Sequence, residues 1–330
     1  MVAEGSQEEM VEALAAQAQA QDAAGNRLGL LEALAKLATL LLELREEGRA
    51  RGALEQAYRV AETIEADQGM APPLHQLGYL YYLQGAWDRA LDLYHRALYL
   101  QHDARDRAGK AMTLGSIGEA FQGKREFGKS LEAYEESLEL KRALGDEPGI
   151  ALTWNNIGTV RARRGDFSSA MEAFEQSLHL QDRLGDVRGK AATLTNIGSI
   201  HQRQENWPAA RQAFEQSLAL YEKAGDSMGM ATTLNSLGLI QRRLGDLQGA
   251  YQSYARAKDL VGALGDPLWV TIPAHNMALI HEERGEYREA LHILEEVISI
   301  DKRIGHPDLR LDLEAFGRIR EKLDRQRDQR

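Results

Sequence analysis

The sequence contains no cysteine and no long apolar run. Without cysteine, disulfide bonds, thiolate nucleophiles, and zinc or iron–sulfur centres held by Cys ligands are excluded. The richest apolar run, 37–42, is far shorter than the roughly 20 residues needed to cross a bilayer, and the acidic start of the chain lacks the basic and apolar regions of a signal peptide. We therefore expect a soluble, cytoplasmic protein with no metal and no other cofactor.

Positive charge is also in short supply. The chain has 40 Lys and Arg against 50 Asp and Glu, which gives a formal net charge of −10. Proteins that bind nucleic acids or anionic membranes do so through clustered Lys and Arg, so we expect neither as the main partner. Apolar residues make up 43% of the chain, enough for a large core.

What the sequence does contain is a repeat. A glycine recurs every forty residues, and an alanine closes the series: Gly78, Gly118, Gly158, Gly198, Gly238 and Ala278. Twelve residues further on lies a column of small residues: Ala90, Ser130, Ala170, Ala210, Ala250 and Ala290. Four residues beyond it lies a column of large residues: Tyr94, Tyr134, Phe174, Phe214, Tyr254 and Leu294. The register holds without insertion from 71 to 310, which predicts six units.

Each unit reads as two antiparallel helices. In the unit 151–190, apolar and small residues recur at steps of three and four, the period of one helix face. The first helix is predicted to end at Gly165 and the second at Gly185, each followed by an acidic capping residue. Gly158 lets the two helices approach, and Phe174 fills the space beside it. Because glycine inside a helix costs roughly 1 kcal/mol relative to alanine, its recurrence indicates a packing need.

The pattern large–x–x–large–Gly, followed by Ala–x–x–x–aromatic, resembles the tetratricopeptide repeat. The forty-residue unit is similar to the variant found in LGN/Pins cell-polarity adaptors and many bacterial regulators. The resemblance implies an all-α fold: a right-handed superhelical solenoid of about seven helix pairs with N- and C-terminal capping helices. We expect residues 1–27 to form an N-terminal helix, 28–70 a degenerate unit, 71–310 the six regular units and 311–330 a C-terminal capping helix.

The degenerate unit is predicted to be out of register with the others. Gly48, Ala53 and Ala57 repeat the spacing of Gly85, Ala90 and Tyr94 in the first regular unit, but only 37 residues separate Gly48 from Gly85. In the C-terminal helix, an apolar stripe of Leu313, Phe316, Ile319 and Leu323 is expected to cover the last unit.

Patterns that would carry catalysis fail on inspection. The segment 118–124 fits most of a phosphate-binding loop, but Arg125 replaces the required Ser or Thr and no strand precedes it. His275 and His281 are six residues apart, which places them far from one helix face, and no Gly-x-Ser-x-Gly elbow occurs. We therefore expect that the protein is not an enzyme.

What remains is the surface of the first helices, which in this architecture line a concave groove. We number each unit from its first residue (71, 111, 151, 191, 231 and 271). The predicted groove residues are Tyr79, Tyr82, Asn155, Asn156, Thr159, Arg163, Thr195, Asn196, Ser199, Arg203, Asn235, Leu239, Arg242, Arg243, His275 and Asn276. The arginines at position 13 (Arg163, Arg203 and Arg243) form a basic column whose planar forks suit carboxylates. The asparagines at position 6 either clamp an extended peptide backbone or tie neighbouring helices together, and both interpretations stay open.

The sequence favours a non-enzymatic adaptor, a protein-interaction scaffold that holds an extended segment of acidic or mixed charge from a partner protein. Two alternatives stay open: a regulatory module whose curvature responds to a small peptide or an effector domain, and a scaffold that self-assembles through its terminal repeats. Position 5 never carries the lysine with which some relatives hold C-terminal carboxylates, so recognition of chaperone tails is disfavoured.

Overall fold

The computed structural model describes residues 2–44, 46–63, 70–265 and 267–328. Within these ranges the chain forms sixteen α-helices and no strand, which confirms the predicted all-α class. The chain divides into two compact units, Met1–Ala173 and Phe174–Arg330, here called the N-terminal and C-terminal units.

The helices follow one another as hairpins. The N-terminal unit contains α1 (Val2–Ala23), α2 (Arg27–Glu43), α3 (Glu47–Thr63), α4 (Ala71–Leu83), α5 (Trp87–Asp103), α6 (Arg107–Gly123), α7 (Phe127–Leu144), α8 (Glu147–Arg164) and the start of α9 (Phe167–Leu184). The C-terminal unit continues from α9 with α10 (Val187–Arg203), α11 (Trp207–Ala224), α12 (Ser227–Arg243), α13 (Leu247–Ala263), α14 (Pro267–Glu283), α15 (Tyr287–Ile304) and α16 (Leu309–Asp328). From α2 onwards, even-numbered helices up to α14 are the first helices of their pairs.

The glycine column has the packing role that the sequence indicates. A methyl group added at Gly118 would lie 2.8 Å from the ring of Tyr134, and one at Gly238 would lie 2.7 Å from the ring of Tyr254. Ser130, which replaces alanine in the second column, donates a hydrogen bond to the backbone oxygen of Gly118 at 2.7 Å. The hairpin is therefore closed by a ring lying directly against bare backbone.

Where the column loses its glycine, the ring is lost as well. Ala278 faces the aliphatic Leu294 in one buried cluster, and the same combination recurs as Ala38 and Leu54 in the first hairpin. A methyl group needs the space that an aromatic ring would occupy, so the two positions change together. This exchange preserves the close approach of the helices.

The register predicted for the degenerate unit is wrong. Helices α2 and α3 begin at Arg27 and Glu47, each 80 residues, or two units, before α6 and α7. The buried column residues of this hairpin are Ala38, Ala50 and Leu54, so the last two lie three residues before the predicted Ala53 and Ala57. Sequence reasoning missed this register because the Ala–Leu exchange removes the glycine and the ring that mark the other units. The division of the chain at residues 27, 70 and 310 stays a prediction.

Helix ends follow the predicted punctuation. Gly165 and Gly185 have φ angles of +95° and +68°, in the left-handed region that favours glycine, directly after α8 and α9. Asp146 then accepts a hydrogen bond from the backbone N–H of Gly149 at 3.0 Å and caps α8. The same Asp-x-x-Gly cap recurs at Asp186, where Gly189 donates at 2.8 Å.

The C-terminal helix α16 packs through a stripe that differs in part from the predicted one. Ala315 and Ile319 are buried against α15, and Phe316 packs on the same cluster. Leu313, predicted to be covered, remains 45% exposed. Asp312 takes a buried place on this face instead, beside a histidine of α14 described below.

Candidate functional site

The first helices of neighbouring pairs contact each other inside each unit, α4 with α6 and α10 with α12. Side chains at positions 5 and 6 bridge such neighbours. His75 Nε2 lies 3.0 Å from Ser116 Oγ, and Asn276 donates from Nδ2 to Oδ1 of Asn235 at 2.9 Å. The face that carries positions 2, 5, 6, 9, 12 and 13 of the first helices is here called the groove face.

In the N-terminal unit, three predicted groove residues, Tyr79, Tyr82 and Arg163, interact through ring stacking or through charge. The rings of Tyr79 and Tyr82 stack with centroids 6.3 Å apart. The pKa of Tyr82 is raised by burial and by the negative charge of Glu119, and Arg163 opposes that rise. Arg163 itself is exposed and makes no hydrogen bond or ion pair with other described residues.

The other predicted residues of this unit are half-buried. Thr159 donates its hydroxyl hydrogen to the backbone oxygen of Asn155 at 2.9 Å. Asn156 lines a cavity on the groove face, and its amide forms no hydrogen bond among the described residues. Its counterpart across the helix interface is Gly115, which offers no side chain. Asn156 is therefore left with both hydrogen-bonding ends available.

In the C-terminal unit, several predicted residues are committed to internal bonds. Thr195 Oγ1 lies 2.7 Å from Ser217 Oγ, and Ser199 donates to the backbone oxygen of Thr195 at 2.9 Å. Arg242 pairs with Glu283 at 2.6 Å. The first two contacts lie within the α10–α11 hairpin, and the Arg242–Glu283 pair joins the neighbouring first helices α12 and α14.

The remaining predicted residues of this unit fall into four groups. His275 Nδ1 is paired with the buried carboxylate of Asp312 on α16. Asn196 and Leu239 are half-buried. Arg203 and Arg243 are exposed at the ends of their helices. Asn276 at position 6 is hydrogen-bonded to Asn235 at position 5 of the preceding unit, and this bond links the neighbouring helices α14 and α12.

A groove of about 550 Å³ runs between α6 and α8, with the end of α7 as its floor. Its rim carries three exposed apolar side chains, Met112, Leu144 and Leu152, of which Leu152 is 57% exposed. Its floor is polar, with Glu119, Lys141, Tyr134 and Asn156. A groove with exposed apolar side chains around a polar floor suits a ligand that carries both apolar and polar groups.

The polar floor is incompletely satisfied. The Tyr134 hydroxyl is buried without a hydrogen-bond partner among the described residues. Glu119 makes no hydrogen bond or ion pair there either, and burial raises its pKa while the charge of Lys141 opposes the rise. Lys141 donates to Thr153 Oγ1 at 2.8 Å, and burial lowers its pKa against the attraction of Asp146 and Glu119. Unmet polar groups in a half-buried groove favour binding of a complementary ligand.

A second groove, of about 240 Å³, lies between α12 and α14 at the same repeat positions. Its floor is apolar, with Val261 at the position of Lys141 and Ala257 beside it. Trp269 and Pro273 stand where the first groove has Gly149 and Thr153. The two grooves share one construction and differ in chemistry.

Sequence reasoning missed Glu119, Lys141, Tyr134 and Met112 as groove residues. The available signal was the pairing of positions 5 and 6: Asn156 faces a glycine, which marks a place where a structural hydrogen bond is missing. Among the described residues, no three His, Asp or Glu side chains are placed to hold one metal ion. Nor, within those residues, does a helix combine the length and apolarity that crossing a bilayer requires.

The fold of this chain is similar to that of several solved structures, although a sequence search of curated proteins finds no significant match. Among solved structures, a Rap protein complexed with competence and sporulation factor is similar over 98% of both chains at 14% identity, with a TM-score of 0.61. The apo form of RapI covers 89% of this chain and 99% of its own at 16% identity, with a TM-score of 0.58. BtubC from P. vanneervenii covers 71% of this chain and 92% of its own at 21% identity, with a TM-score of 0.54.

The family comparison agrees with the repeat in the sequence. The tetratricopeptide repeat model matches residues 69–143, 122–183, 149–223, 189–263 and 229–303. These overlapping matches span well over half of the chain and follow the helix hairpins described above. The expected repeat class is confirmed, whereas the likeness to LGN/Pins adaptors stays a resemblance. The chain belongs to the tetratricopeptide repeat family.

Proposed function

We propose that this protein is a non-enzymatic, cytoplasmic adaptor that binds an extended segment of a partner protein on its groove face. Membership of the tetratricopeptide repeat family supports a protein-interaction scaffold. The observation that carries the finer proposal is the α6–α8 groove, where exposed Met112 and Leu152 surround the unpartnered amide of Asn156. A Rap protein of the same fold has been solved complexed with competence and sporulation factor, which is a precedent for ligand binding by this fold.

An extended peptide offers the groups that this groove lacks. Its backbone N–H and C=O can bond the two ends of the Asn156 amide, and its apolar side chains can cover Met112 and Leu152. Burying exposed apolar area contributes roughly 25 cal/mol per Å², so the rim supplies affinity while the amide supplies orientation. A regular helix has no free backbone groups to offer the amide, and this favours an extended ligand.

The exposed arginines are proposed to recognise acidic side chains of the partner. Arg163 and Arg243 make no hydrogen bond or ion pair among the described residues. A guanidinium offers a planar fork of donors that matches a carboxylate. Because these heads are exposed, their attraction is screened by salt, and binding should weaken as ionic strength rises.

The test compares two triple variants with equal charge change. The groove variant replaces Arg163, Arg203 and Arg243 by Glu. The control replaces Arg211, Arg288 and Arg303, which are exposed on second helices, by Glu. We expect a peptide selected on the wild-type protein from a random displayed library to lose affinity at least about tenfold in the groove variant and to lose its salt dependence.

The control variant should bind that peptide as the wild type does, and circular dichroism should show that both variants are folded. Unchanged affinity and unchanged salt dependence in the folded groove variant would show that the arginines only keep the surface hydrated. Association of copies through the terminal helices stays a prediction, which sedimentation of the unliganded protein would decide.

A further inference from the structure

One carboxylate in the α6–α8 groove stands apart from the rest of the lining. Glu119, at position 9 of its unit, lies half-buried on the groove floor and has no hydrogen-bond or ion-pair partner among the described residues. Asp146, the other carboxylate of the lining, is occupied because it caps α8 through the backbone N–H of Gly149 at 3.0 Å. A half-buried carboxylate without a donor is costly, and a donor from a ligand would relieve that cost.

The cations near Glu119 do not supply that donor. Lys141 on α7 directs its ammonium to the Thr153 hydroxyl at 2.8 Å and is also drawn to Asp146. Arg163 on α8 influences the same tyrosines as Glu119, but its head is exposed and forms no ion pair with the carboxylate. The carboxylate oxygens of Glu119 are therefore available to accept hydrogen bonds from a ligand in the groove.

A second, independent observation points into the same groove. The Tyr134 side chain is 1% exposed, lines the groove, and has a buried hydroxyl without a partner among the described residues. With the free amide of Asn156, the floor offers one anionic acceptor and two groups that both donate and accept. The exposed side chains of Met112 and Leu152 add an apolar wall.

We propose that the α6–α8 groove binds a peptide segment in which a lysine or arginine lies next to an apolar side chain. This inference rests on the proposed function, because it assumes that the groove face receives an extended peptide. The basic head bonds Glu119, the apolar side chain covers Met112 and Leu152, and the peptide backbone reaches Asn156. No carboxylate lines the described α12–α14 groove, and the repeat position of Glu119 carries Leu239 there, so of these two grooves only the first prefers a basic residue.

The test is a charge exchange. The probes are three fluorescein-labelled peptides, Ser-Gly-Leu-Lys-Leu-Gly-Ser and its versions with Glu or Gln in the central place. The proteins are the wild type, Glu119→Lys, and the control Glu139→Lys, which makes the same charge change on the exposed surface of α7. We expect the wild type and the control to bind the Lys peptide at least about tenfold more tightly than the Glu peptide, and Glu119→Lys to reverse that order.

Three outcomes would overturn the inference, and they are distinguishable from one another. If the wild type, Glu119→Lys and Glu139→Lys bind all three peptides equally, and a further variant, Leu152→Asp, does not bind them, the groove still binds peptides and only the assignment to Glu119 fails. If no peptide binds the folded wild type at millimolar concentration, the inference and the proposed function both fail. A preference of the wild type for the Glu peptide would likewise contradict the role given to Glu119.

Discussion

The α6–α8 and α12–α14 grooves occupy the same repeat positions three units apart, yet one floor is charged and the other apolar. Lys141 of the first corresponds to Val261 of the second, and the repeat position of Glu119 carries Leu239, which lies outside the lining of the second groove. The supporting rings, Tyr134 and Tyr254, are alike, and each lies against the glycine of its own hairpin. The repeat therefore separates the residues that close a hairpin from the residues that give a groove its chemistry.

One position on the second helices shows this freedom most clearly. It faces the next first helix and is here called the floor position, with the residues Gln101, Lys141, Gln181, Tyr221, Val261 and Asp301. These residues differ in charge, polarity and size, from a lysine at 141 to a valine at 261. Grooves built on the same hairpin framework therefore differ in the chemistry that they offer to a ligand.

The largest effect is expected when the two floors are exchanged. Lys141 has Thr153 as a partner, but Pro273 stands at that place beside Val261 and offers no hydroxyl. Val261→Lys would bury an ammonium without a partner and should lower the free energy of unfolding by about 3 kcal/mol. Lys141→Val should change it by less than about 1 kcal/mol, since an ion in a half-buried site contributes little net stability.

Chemical denaturation of both variants and the wild type measures this difference. Equal losses in the two variants would show that the floors are interchangeable and that the comparison between the grooves has no energetic basis.

A smaller effect is expected from the framework that both grooves share. Gly118→Ala and Gly238→Ala would each press a methyl group onto a buried ring at under 3 Å. Each should cost about 2 kcal/mol, because the ring has no room to retreat. The control is Gly128→Ala on α7, where the added methyl group meets no atom within 4 Å and a gain of a few tenths of a kcal/mol is expected. Thermal unfolding would refute the shared framework if only one of the two column variants were destabilised.

The smallest effect concerns the last floor position, Asp301, which faces α16 instead of another hairpin. Its side chain is fully buried, and burial together with the neighbouring Asp312 raises its pKa to about 6. His306 opposes the rise and Asp308 adds to it. A raised carboxyl pKa means that the folded protein holds the proton more tightly, so this contribution to stability is complete below about pH 4 and is lost as the pH rises through 6.

Asp301→Asn should therefore stabilise the protein at pH 8 by about 1–2 kcal/mol and have almost no effect at pH 4. Denaturation of the variant and the wild type across this range measures the difference. Asp259→Asn, on the exposed surface of α13, is the control and should show no such trend. A gain for Asp301→Asn that is the same at both pH values would mean that the carboxyl is not protonated in the folded protein.

Much of the fold could be predicted from the sequence because the columns record packing. A ring against bare backbone leaves a glycine and an aromatic residue at a fixed distance, so the hairpins of the regular units were readable. The first hairpin was misread because Ala38 and Leu54 solve the same packing problem with residues that carry no distinctive signal. A packing column can be recognised in the sequence only where the same residue types recur at its positions.

The groove was less predictable, for a different reason. The asparagines at position 6 look alike in the sequence, but Asn276 is bonded to Asn235 whereas Asn156 faces Gly115 and remains open. The difference lies in the residue 41 positions earlier, on the neighbouring first helix. Glu119 and Lys141 were hidden for a similar reason, since carboxylates and lysines occur on every helix surface and only their burial sets these two apart.

The central claim, that the face of the first helices binds an extended peptide, is tested most directly by photo-cross-linking. A photoreactive phenylalanine replaces Met112 on the groove face, Thr232 at the equivalent place of the second groove, or Glu139 on the exposed side of α7. With a peptide selected from a random displayed library, the account predicts covalent adducts from position 112 or 232 and none from position 139. Adducts from position 139 alone would contradict it.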